Sequence, residues 1–399
     1  MTFRGVLGVR EFRWLWLAGV QSLLGDQLAR VAVSVIVFDA TSSGFLTSTV
    51  YALTYLPALV GPPLGVLADR LPRRAVLVAG DLLRALILAA MAVPALPWPW
   101  LVPLITAAVM IGAPWKAAES ALVADILSGE GYVIGAGLRL ATSQGAQLVG
   151  FATGGIAVAI LGARSGLLID AATFAVSALV IRLGLDARPA PWQASALAGE
   201  RPSRSLWAGV TVVWRTAPLR WLTRYTWLAG AYVVPDGLAA PIAARLHGGA
   251  SAVGYLLASV PLGMLVGCVV LVRYVPVDRR RRLMPTLAAG AGVPLMACIG
   301  APPLAVMCAL WALAGAAMAY QVQAMTDFVR LCPPQLRGQA IAFAASGLLA
   351  VQGVGLVLGG AVAQAWSPFG AVALAGLTGS VMALTWSRGR QEINLLPTP

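Results

Sequence analysis

Charge is the scarcest property of this sequence. Only 11% of its 399 residues are charged, against about 25% in an average soluble domain. The chain holds a single lysine, Lys116, and a single histidine, His247. One histidine, set in a loop, gives no catalytic Ser/His/Asp or Cys/His arrangement, and no Gly-rich run closing on Lys and Ser or Thr cradles a phosphate. Neither enzyme activity nor ATP hydrolysis is expected. The four cysteines, Cys268, Cys298, Cys308 and Cys332, show no paired spacing, so neither a disulfide frame nor a zinc site is expected. Nothing in the composition calls for a metal or a cofactor.

Apolar residues make up 59% of the chain. A membrane-spanning helix needs about 20 of them in succession, and the charge-free runs 85–115, 283–326 and 338–387 are each long enough to fold back once. Pro94, Pro97 and Pro99, then Pro302 and Pro303, then Ser367 and Pro368 mark the reversals. The expectation is an all-α membrane protein with twelve transmembrane helices. They cover 13–39, 45–68, 75–94, 101–127, 133–161, 165–184, 218–246, 252–274, 283–300, 303–328, 338–364 and 368–387. The first segment carries Asp26 and Arg30 and lacks a small-residue cleavage pattern, so it reads as a helix, not a signal peptide.

The formal net charge is +13, and its placement argues against nucleic acid as the partner. Arginines cluster in alternate connections: before the first helix, after the second, between the sixth and seventh, after the eighth and tenth, and at the end. The opposite connections hold Arg164, Arg245 and His247. By the positive-inside rule both termini are cytoplasmic, which places a multi-pass chain in the cell (plasma or inner) membrane.

One long polar connection, 185–217, divides the chain into two six-helix bundles, 1–184 and 218–399. Its end, SLWAGVTVVWR, has the aromatic and basic pattern of an interfacial helix. A shift of 205 residues lays Gly150, Gly154 and Gly155 on Gly355, Gly359 and Gly360, and Arg74 on Arg279. Small residues let spanning helices pack closely, and parallel repeats of this kind accompany alternating access.

The stretch GVLADRLPRR, 65–74, resembles the loop signature of the major facilitator superfamily, Gly-x-Leu-Ala-Asp-Arg-x-Gly-Arg-Arg, with Pro72 in place of the usual glycine. FRWLWLAGVQSLLGDQLARVAVSVIVFDAT, GDLLRALILAA, IDAATFAVSALV and PPQLRGQAIAF are similar to segments of its bacterial drug-efflux, drug:proton antiporter branch. The resemblance implies the major facilitator fold and a conformational gate formed by Gly65, Asp69, Arg70, Arg73 and Arg74, with Asp69 as its latch. In the fifth helix the family's antiporter signature reads GFATGG here, with Phe151 in place of proline.

A charge at a helix centre costs about 2.5 to 3.5 kcal/mol on insertion scales, so buried ions nominate function. Asp26 and Arg30 lie four apart, Lys116 and Glu119 three apart, and Asp81 and Arg84 three apart, each pair on one helix face. Static ion pairing is the competing reading for each pair, and a structural hydrogen bond for Asp170. Asp236, Glu119 and Asp26 are the proton-coupling candidates. Asp236 has no basic residue three or four positions away. A carboxylate moved between dry and wet surroundings binds and releases a proton. Arg30, Lys116, Tyr51, Tyr55, Trp115, Gln144, Gln147, Tyr232, Tyr320 and Gln321 are the substrate-cavity candidates, each weighed against plain packing.

The expected function is export of small amphipathic compounds, drugs or natural products, by a monomer exchanging them for protons across the lipid bilayer. The alternatives are a uniporter or importer of a metabolite or lipid, which the missing proline of the fifth helix favours, and a non-transporting sensor or scaffold.

Overall fold

The computed structural model describes residues 3–55, 71–127, 129–188, 207–333 and 336–387. The described residues form helices α1 (Phe3–Gly8), α2 (Arg10–Thr41), α3 (Gly44–Ala52), α4 (Arg73–Met91), α5 (Leu101–Ile126), α6 (Glu130–Leu161) and α7 (Ala163–Gly184). At the end of the polar connection lies α8 (Trp207–Arg215), followed by α9 (Ala217–Trp227), α10 (Ala229–Tyr232), α11 (Val234–Arg245) and α12 (Gly249–Tyr274). The last described helices are α13 (Val277–Gly290), α14 (Gly292–Ala297), α15 (Leu304–Met318), α16 (Tyr320–Leu331), α17 (Arg337–Ala365) and α18 (Pro368–Ser387).

Among the described residues nine helical stretches are long and apolar enough to cross a membrane, from Trp98–Ile126 to Pro368–Ser387. Three of the twelve expected spans are not in that set. The helix α2 has 32 residues, ample length for a crossing, but Asp26 and Arg30 lower its apolarity. The helix α4 carries Asp81 and Arg84 inside 19 residues. The segment expected at 45–68 lies outside the described residues from 56 onward.

Several expected continuous helices are subdivided. The one at 218–246 becomes α9, α10 and α11, and Pro235 stands in the first turn of α11, where its missing N–H and fixed φ are tolerated. The one at 303–328 divides at Ala319, between α15 and α16. Glycines with left-handed backbone, Gly129 at φ 54° and Gly162 at φ 86°, flank α6 and end it cleanly.

The described residues pack as two units. One takes those within Met1–Ala40, Leu59–Pro202 and Gly249–Ala258; the other takes those within Thr41–Ala58, Ser203–Gly248 and Ser259–Pro399. In the first, α4 packs on α5 and α7 over a core of Phe12, Leu15, Leu77, Leu122 and Ile181. In the second, α17 packs against α3, α8, α10 and α11, and Trp311, Tyr225 and Tyr320 are fully buried. Trp214 of α8 meets Trp227 and Phe343 edge-on.

The repeat is visible in how the glycines pack. In the first unit a Cβ on Gly154 would lie 2.9 Å from the Leu28 Cα, and one on Gly155 would lie 2.5 Å from the Gly254 Cα. In the second, Gly359 meets Val234 and Gly360 meets Ser48 and Phe45. The 205-residue shift carries Leu28 to Val233 and Thr49 to Gly254, so both glycine faces meet matching elements, within one residue for Val234 and Ser48.

Candidate functional site

The first unit holds a half-open cavity of about 370 Å³, bounded by residues of α2, α4, α5 and α6. Its wall carries Asp26, Arg84, Lys116, Glu119 and Arg139, with Phe12, Trp16 and Trp115 as its aromatic part and Ser22, Ser120, Thr142 and Ser143 among its hydroxyls. Mixed apolar and polar lining of this size suits a small organic ligand.

The five charges are unequally satisfied. Arg139 of α6 donates to Glu119 of α5 at 2.5 Å, and Glu119 is 9% exposed. Arg84 Nε donates to the main-chain oxygen of Ala108 at 3.2 Å, and its guanidinium lies 5.1 Å from the Phe174 ring centre and 6.0 Å from that of Trp115, within cation–π range. Lys116 and Asp26 feel one another's charge, yet neither has a hydrogen-bond or ion-pair partner among the described residues.

Sequence spacing suggested different pairings. Glu119 takes Arg139 from the next helix instead of Lys116, three residues away. Asp81 accepts a hydrogen bond from Ser177 at 2.6 Å, while Arg84 turns to Ala108. Three-residue spacing gives a shared helix face, but partners on neighbouring helices win both contests. Asp170 accepts from Thr173 at 3.0 Å. Arg139 was missed by the sequence reading, although it too is a charge inside an expected span and the same rule would have found it.

Of the cavity candidates, Trp115 and Lys116 line this cavity, and so does the proton candidate Asp26, whereas Arg30, Gln144 and Gln147 are not among its lining residues. Tyr51, Tyr232 and Tyr320 are buried residues of the second unit. Tyr51 sits with Val233 and Leu356, with Tyr55 against that cluster. The hydroxyl of Tyr232 donates to Ala288 O at 2.5 Å, and that of Tyr320 donates to Tyr225 O at 2.9 Å. A tyrosine can bury its ring where a main-chain carbonyl takes its O–H. Asp236 stands half-buried in the first turn of α11. Gln321 is half-buried on α16.

Of the expected gate, Gly65, Asp69 and Arg70 lie outside the described residues. Arg73 at the start of α4 pairs with Asp125 near the end of α5, and Arg74 donates to the Arg182 carbonyl. The second unit has a comparable pair that the sequence reading missed. Arg281 of α13 grips Asp327 of α16 through Nη2 at 2.7 Å and Nε at 3.0 and 3.2 Å, and Gln323 donates to the same carboxylate at 3.0 Å.

The sequence matches none of the curated proteins with which it was compared. Among solved structures, a bacterial homologue of the human lysosomal transporter Spinster, inward-facing and occupied, superposes with a TM-score of 0.77 at 13% identity, over 97% of this chain and 98% of that one. The nucleoside transporter NupG superposes with a TM-score of 0.73 at 15% identity, over 95% and 99%. A peptide transporter of the POT family, in complex with sulfate, does so with a TM-score of 0.75 at 12% identity, over 98% and 99%. At such identities the likeness is one of fold. The sequence model of the Major Facilitator Superfamily matches residues 15–235, more than half of the chain, and this multi-pass membrane protein belongs to that superfamily of transporters.

Proposed function

We propose that this chain is a twelve-helix secondary transporter of the cell membrane, with both termini cytoplasmic, that exports small amphipathic compounds in exchange for protons. It acts as a monomer, and its bundles 1–184 and 218–399 alternate access across the 185–217 connection. The observation that carries this reading is the cavity of the first unit, where a mixed apolar, aromatic and charged wall holds a half-buried Asp26 without a hydrogen-bond or ion-pair partner among the described residues. A charge kept inside a membrane fold at such cost serves a purpose beyond packing. In this reading Asp26 is the first proton-carrier candidate. Glu119 would first have to leave Arg139, and Asp236 is the second carrier to test.

Drug or natural-product export is preferred to import because the sequence resembles the efflux branch. Phe151 in place of the signature proline supports a second reading, a uniporter or importer of a metabolite or lipid. Proteoliposomes carrying an imposed pH gradient separate the two. Substrate-dependent dissipation of the gradient is expected, and it should be lost in Asp26→Asn. Coupling that persists undiminished in Asp26→Asn, Glu119→Gln and Asp236→Asn alike would overturn the proton-exchange reading.

A further inference from the structure

Among the described residues, several polar groups on the cavity wall have neither a hydrogen-bond nor an ion-pair partner. Lys116 and Asp26 have no hydrogen-bond or ion-pair partner among the described residues, and the indole N–H of Trp115 and the hydroxyl of Ser22 are buried without one. Elsewhere on the wall polarity is consumed locally: Arg139 holds Glu119, Trp16 donates to Thr142, and Arg84 is engaged by a carbonyl and two rings. Among the described residues, the groups without such a partner include one cation, one anion, the Trp115 N–H and the Ser22 hydroxyl, arranged around apolar and aromatic surface.

Asp26 is half-buried and Lys116 exposed on the wall, and a charge held by neither a hydrogen bond nor an ion pair gains from an oppositely charged group on a ligand. A ligand bearing one charge would satisfy either Lys116 or Asp26 and leave the other bare. A ligand bearing both answers both. We infer that the cavity recognises a zwitterion, an α-amino-acid-like compound whose carboxylate meets Lys116 and whose ammonium meets Asp26, with an apolar or aromatic side chain against Trp115, Trp16 and Phe12. The Trp115 N–H is a further donor for the carboxylate. This assignment rests on the transport reading and names its substrate class. It also gives exchange a simple basis, because proton and ligand ammonium compete for one carboxylate.

Isothermal titration calorimetry on the full chain in detergent micelles, with four probes of near-equal size, tests the assignment. L-Phenylalanine is the zwitterion, L-phenylalaninamide the cation, N-acetyl-L-phenylalanine the anion, and N-acetyl-L-phenylalaninamide is uncharged. L-Phenylalanine should bind tightest, by about tenfold or more over each singly charged probe, since each lost contact is a charge-assisted hydrogen bond. Lys116→Met should turn the preference to the cation, and Asp26→Asn should turn it to the anion. Equal or tighter binding of any other probe by the unaltered chain overturns the assignment, and so does binding of none; that ranking stands without the variants if either fails to fold. Proton exchange in proteoliposomes is measured separately, so a failed ranking leaves the transport reading intact, and a failed exchange leaves the ranking intact.

Discussion

Removal of Asp327 should destabilise the protein more than any other single loss of a charge described above. Its carboxylate is 2% exposed and the Arg281 side chain 15%, and three N–H···O contacts from Arg281 plus one from Gln323 converge on it. Asp327→Ala strands a largely buried guanidinium. Stranding of this kind costs about 3 to 5 kcal/mol, and the partial exposure of Arg281 places this case near ~3 kcal/mol. Asp327→Asn keeps an acceptor for Gln323 but loses the bidentate, charge-assisted grip, for ~1.5 to 3 kcal/mol. The double replacement Arg281→Met with Asp327→Leu removes both charges together, so it should be less harmful than Asp327→Ala alone. Thermal unfolding of the purified protein in detergent, followed by fluorescence-detected size exclusion, gives the order of the three variants. The reasoning fails if Asp327→Ala shifts the midpoint no more than a surface substitution such as Arg273→Ala, or if the double variant is as damaged as the sum of its parts.

Gly155→Leu should lower the yield of folded protein sharply, because a side chain there would meet the Gly254 backbone 2.5 Å away, whereas Gly137→Leu faces open space and should leave the yield unchanged. Tyr225→Phe deprives the Ala383 carbonyl of a hydrogen bond of 2.8 Å and should cost ~1 kcal/mol, read as a small fall in the same unfolding midpoint. Arg139→Met leaves Glu119 without its ion-pair partner. Its expected signature is a proton-coupling pH profile that changes shape while Asp26-dependent coupling persists, read by pH-gradient dissipation across a series of external pH values.

Much of the fold was legible because hydropathy is a local property. The helices expected at 101–127, 165–184 and 368–387 appear as Leu101–Ile126, Ala163–Gly184 and Pro368–Ser387, since a proline or glycine in the sequence marks a reversal beside each. The division at Ala319 had no comparable signal, as no proline or glycine stands at that point. The candidate site was legible as a set of intramembrane charges, including Asp26, Lys116 and Glu119. Which of them pair was not, because Arg139 stands 20 positions beyond Glu119 and Asp327 stands 46 beyond Arg281.

The sequence by itself determined a multi-helix membrane chain with an internal 205-residue repeat, because long apolar runs, reversals and small-residue faces are encoded position by position. Only the tertiary structure decided that Glu119 is answered by Arg139 and Asp81 by Ser177, and that Lys116 and Asp26 face one cavity with no hydrogen-bond or ion-pair partner among the described residues. Charge satisfaction depends on which helix faces meet, and a periodic pattern gives each helix its face but not its neighbour.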